Sequence, residues 1–86
     1  MENISWQLPP EALKGQLMYA GRQVPALVAI AEPLVAAIYV TAPFGYTVEL
    51  AAFQADNTIK ILGTQRFKGI LKHALWEAEK ALLQAL

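Results

Sequence analysis

A chain of 86 residues supports one domain with a thin core, because at this size only about 60–65% of the unfolded surface is buried on folding. Hydrophobic residues make up 56% and charged residues 16%, against usual values of about 45–50% and about 25%, so part of the apolar surplus is expected on a surface that another subunit covers. There is no cysteine and the formal charge is zero, which excludes disulfides, zinc–thiolate centres and cysteine nucleophiles, and leaves no basic footprint for nucleic acid.

The expected fold class is α+β: one domain over residues 1–86, with a mostly antiparallel sheet of about four strands. A helix near the N-terminus and a long C-terminal helix are expected to pack on that sheet. In chain order, Ile4, Trp6 and Leu8 alternate as in a short edge strand, with Trp6 over a rim of the core. Pro9 and Pro10 end that strand and suit the first turn of a helix. From Pro10 to Ala20, Leu13, Leu17 and Ala20 make one apolar stripe, Gly15 weakens the helix, and Gly21 stops it.

Residues 24–43 carry one charge, Glu32. A lipid-spanning helix here would hold Glu32 near the bilayer centre at about 2.5–3.5 kcal/mol. Two buried strands joined by a Glu32–Pro33 turn account for the same letters, and no membrane association is expected. Runs that are apolar on both faces are not separated from buried helix by period alone, so the helical alternative stays open.

The next segments read as a hairpin. Tyr46, Val48, Leu50 and Ala52 share one face of its first strand, and Thr47, Glu49, Ala51 and Phe53 share the other. Ala55-Asp56-Asn57 supplies the turn, and Glu49 can pair with Lys60 across the strands. Thr64 is the expected N-cap of a helix over 65–86. Its core stripe runs from Phe67 and Ile70 to Leu82 and Ala85 within about 140° of arc.

Opposite that stripe, Gly69, Trp76 and Leu83 recur every seventh residue, flanked by Lys72 and Lys80. This is the expected interface, because tryptophan is enriched where proteins meet. Its expected partner is a second copy of the chain, as a homodimer or higher, with another protein as a further option. A second reading is a small apolar ligand held near Glu32, Tyr39, Phe44 and Tyr46 around the "APFGYT" loop. His73 has Glu77 one turn away as a surface partner and no nucleophile beside it, so no catalytic residue, metal site or cofactor is expected. The glycines form no phosphate-binding motif. Lys60, Arg66, Lys68, Lys72 and Lys80 make the C-terminal third mildly basic, without the interleaved aromatics of a nucleic-acid platform. The start of the chain lacks a signal-peptide pattern, and a cytoplasmic location is expected.

Overall fold

The computed structural model describes residues 4–41 and 45–86. It is an α+β fold in which four antiparallel strands lie in chain order across one sheet: β1 (Leu27–Ala31), β2 (Leu34–Thr41), β3 (Gly45–Phe53) and β4 (Ile59–Lys68). A short helix, α1 (Glu11–Lys14), precedes the sheet, and a long helix, α2 (Leu71–Ala85), follows it. Among the described residues no helix is long and apolar enough to cross a membrane.

The apolar runs on either side of Glu32–Pro33 are strands, paired from Leu27–Ile38 to Ala31–Leu34. β2 explains why those runs show no alternation. Leu34, Ala36 and Ile38 face one core, and Val35, Ala37 and Tyr39 face another. A strand covered on both sides must be apolar at consecutive positions. The first core holds Ala29 and Val48 together with Ala74, Ala78 and Leu82 of α2. The second holds Val28 and Ala51 under Leu13 and Leu17. The sheet is therefore the middle of three layers, with α2 above and the α1 segment below.

Three expectations change at the element ends. The N-terminal helix stops at Lys14 with Gly15 as its C-cap, although Leu17 and Tyr19 still pack on the lower core. Glycine costs about 1 kcal/mol in a helix interior relative to alanine, and a helix this short has little to offset it. Residues 4–8 form no full strand. Gln7 alone joins the ladder, exchanging two backbone hydrogen bonds with Val28 at 2.9 and 2.8 Å. The tryptophan beside it covers a rim of the upper core, as its alternation suggested.

The third change concerns the long C-terminal segment. Thr64 is not a helix cap: β4 continues through it to Lys68, and the helix begins at Leu71 with Ile70 as its N-cap. The reason lies in β3. Residues 64–68 pair with Glu49 back to Gly45. A helix starting at Thr64 would leave those backbone groups of β3 without ladder partners. Gly69 makes the change of direction at φ +124°, a conformation that suits glycine. Phe67 keeps its place against the upper core from the strand rather than from the helix, while Ile70 is exposed.

The hairpin turn forms where expected. Asn57 takes φ +67°, and Asp56 accepts hydrogen bonds from the Thr58 amide and hydroxyl. These bonds hold the Asp56 carboxyl below its ordinary value. The cross-strand pairing differs from expectation. The turn sets Lys60 across from Ala52, on the opposite face from Glu49, and a register shift between Leu50 and Ala51 sets Glu49 across from Thr64. Glu49 is therefore buried in the lower layer and has no bond to Lys60.

Candidate functional site

The outward face of α2 is built by its own period. Ala74, Ala78 and Leu82 are fully buried, so Lys72, Trp76, Lys80 and Leu83 turn away from the sheet. Trp76 is 57% exposed and Leu83 is 41% exposed. The Lys80 ammonium lies 5.2 Å from the centre of the Trp76 ring, a cation–π arrangement. Trp76, Glu79, Lys80, Leu83 and Gln84 line a shallow hollow of about 300 Å³. Gly69 precedes the helix rather than riding on it, so the seven-residue seam is reduced to Trp76 and Leu83.

His73 lies beside this face. Its ring is 6.5 Å from that of Trp76 and 5.6 Å, edge-on, from that of Phe67. Its Nε2 is 3.8 Å from Glu77 Oε2, a surface pair of the kind the i, i+4 spacing allows. Among the described residues no group of three or more His, Cys, Asp or Glu side chains is placed to hold a metal ion.

A second hollow lies between α2 and the sheet. The helix packs mainly on β2 and β3 and touches β4 at Phe67, near its own start. The result is a groove of about 460 Å³, with Val48, Leu50, Gly63, Thr64 and Gln65 on the sheet side and Glu77, Lys80, Ala81 and Gln84 on the helix side.

The chain matches no family model, no curated protein and no solved structure.

Of the four residues proposed for an apolar ligand, the three described ones, Glu32, Tyr39 and Tyr46, do not meet in one pocket. Glu32 sits in the exposed β1–β2 turn. Tyr39 is fully buried in the lower core, whereas Tyr46 packs against the upper core, on the other side of the sheet. Phe44 lies outside the described residues.

Two features escaped the sequence reading. The lower layer contains a buried polar set: Tyr39, Thr47 and Glu49. The Tyr39 ring lies 5.5 Å from that of Tyr19, tilted by 41°, and the Tyr19 hydroxyl accepts a 2.6 Å hydrogen bond from Arg66. Burial, and then the charge of Glu49, push the Tyr39 hydroxyl far above its ordinary pKa. Glu49 is near enough to oppose ionisation, yet the alignment leaves the Tyr39 oxygen without a completed hydrogen bond. Alternation did place Glu49 on the Thr47–Phe53 face; what it lacked was a reason to cover that face. The α2–β4 groove had no sequence signal at all, because it depends on where the helix crosses the sheet.

Proposed function

We propose that this chain is a non-enzymatic interaction or assembly module that associates with copies of itself through the outward face of α2. One observation carries the reading: a tryptophan and a leucine stand exposed on a helix whose opposite face already supplies its core. A side chain as large as Trp76 gains most from being covered, and a two-fold partner presents the same patch to it. Lys72 and Lys80 fit the polar rim of such a contact, and the surplus of apolar residues agrees with it. A cytoplasmic setting belongs to the same proposal.

The test is mass in solution across a concentration series, for the wild type and for Trp76→Ala. The wild type should be a dimer or larger, and the variant should dissociate at least about tenfold more readily with its circular dichroism unchanged. A wild type that stays monomeric at about 1 mM, or a variant that assembles as well as the wild type, overturns the reading.

A further inference from the structure

The two edges of the sheet are finished differently. At β1 the outer edge is met by Gln7, which takes both the amide and the carbonyl of Val28. At β4 no described residue pairs with the outer edge, although the strand is ten residues long. Nearly all of β4 is exposed. Such an edge presents a row of free amides and carbonyls, which is the surface an added strand uses.

The groove makes that edge more than a bare ladder. It lies beside β4, with Val48 and Leu50 as an apolar floor and Glu77, Lys80, Ala81 and Gln84 as a wall, so the one acid of the groove stands beside the uncharged centre of the strand rather than on β4 itself. At Gly63 no side chain closes it off, and an added Cβ would meet no atom within 4 Å. Successive side chains of a strand point to opposite faces, so alternate residues of a strand laid along β4 would turn toward the groove.

Charge selects among occupants. β4 carries Lys60, Arg66 and Lys68 and no acid, and these cations frame an uncharged centre, Ile61 to Gln65. Pairing two copies of β4 would bring two sets of like charges together, which disfavours a second copy. A strand that is apolar in its middle and acidic at its ends meets the same edge with opposite charge. We propose that β4 and the α2–β4 groove receive an extended, acidic-ended peptide segment of another protein as a fifth strand. This site is separate from the Trp76 face, although Lys80 and Gln84 border both.

The probe is a fluorescent, end-capped peptide, Asp-Glu-Val-Thr-Ile-Thr-Val-Glu-Asp, titrated at low salt and followed by anisotropy and by protein amide shifts. The proposal expects saturable binding, with shifts concentrated in β4 and at Glu77, Lys80 and Gln84. N-methylation of alternate central amides on the edge-facing side should abolish binding. Replacing the acidic ends with lysine should weaken it at least about tenfold. Gly63→Leu fills the groove where the fold has room, and should also weaken binding about tenfold with the spectrum of the rest of the protein retained. Absence of binding at about 1 mM, equal binding of the N-methylated peptide, or indifference to Gly63→Leu each overturns the proposal. So does concentration-dependent dimerisation that protects the β4 amides without peptide, since a second copy would then occupy the edge.

Discussion

The β1 and β4 ends of the sheet contrast in how they are covered. At the β1 end, Gln7 extends the ladder, Trp6 donates a 2.7 Å hydrogen bond to Glu79 of α2, and Leu13 and Leu17 close the lower face. At the β4 end, α2 has already passed, and Ile61 and Leu62 are 43% and 48% exposed. A chain of this size can close one end of a four-stranded sheet and leave the other open. Burial is therefore concentrated in β1, β2 and β3, and β4 and the back of α2 are left exposed, with Ile61, Leu62, Trp76 and Leu83 open to solvent. Low local burial and accessible function tend to coincide in this way.

The strongest way to break the comparison is to cut large side chains at each end. Leu82→Ala and Leu17→Ala remove fully buried groups, one from each core, and each should cost about 2–5 kcal/mol. Against a total of about 5–15 kcal/mol, either loss is severe. Leu62→Ala, on the exposed strand, should stay within about 0.5 kcal/mol of the wild type. Urea denaturation followed by circular dichroism measures all three. Equal costs at the two ends would show that β4 is covered after all.

A smaller effect is expected from the tie between the N-terminal segment and α2. Trp6→Phe keeps most of the apolar contact with the upper core and removes the donor to Glu79. The bond is charge-assisted but only partly buried, so the expected loss is about 1 kcal/mol. A double-mutant cycle with Glu79→Gln isolates it. A coupling of zero would mean that Trp6 covers the β1 end by packing alone.

Much of this arrangement was legible in the residues, and the misses share a cause. The α+β class, the hairpin turn at Asp56-Asn57 and the inward face of α2 follow from local periods and turn chemistry. The helix start was misplaced because residues 64–68 satisfy either period, and only the need of Gly45–Glu49 for ladder partners decides between them. The Glu49–Lys60 pairing failed because the hairpin turn sets Lys60 across from Ala52, three residues from Glu49 and on the other face of the sheet. The exposed Trp76 was readable from the wheel, since it needs only the helix's own geometry. Gly69 dropped out of that seam together with the helix turn it would have ridden on. The groove was not readable, because it is a relation between two elements distant in the chain.

The finest probe of the contrast is the ionisation of tyrosine. Tyr39 is fully buried in the covered half, and its folded pKa is raised first by that burial and then by Glu49. The unfolded chain would release this proton near pH 10 while the folded chain holds it. The contribution to stability is therefore complete below that pH and is lost as pH rises above it. The wild type should weaken above about pH 10, and Tyr39→Phe should weaken less. At neutral pH that variant should stay within about 1 kcal/mol of the wild type, because the hydroxyl it removes has no completed hydrogen bond to lose. A tyrosine introduced as Gln65→Tyr on exposed β4 provides the matched control and should titrate near its ordinary value of about 10. Tyrosinate absorbance separates the two. If Tyr39 ionised together with the introduced residue, water would reach the covered half as freely as the open one, and the contrast between the two ends of the sheet would fail.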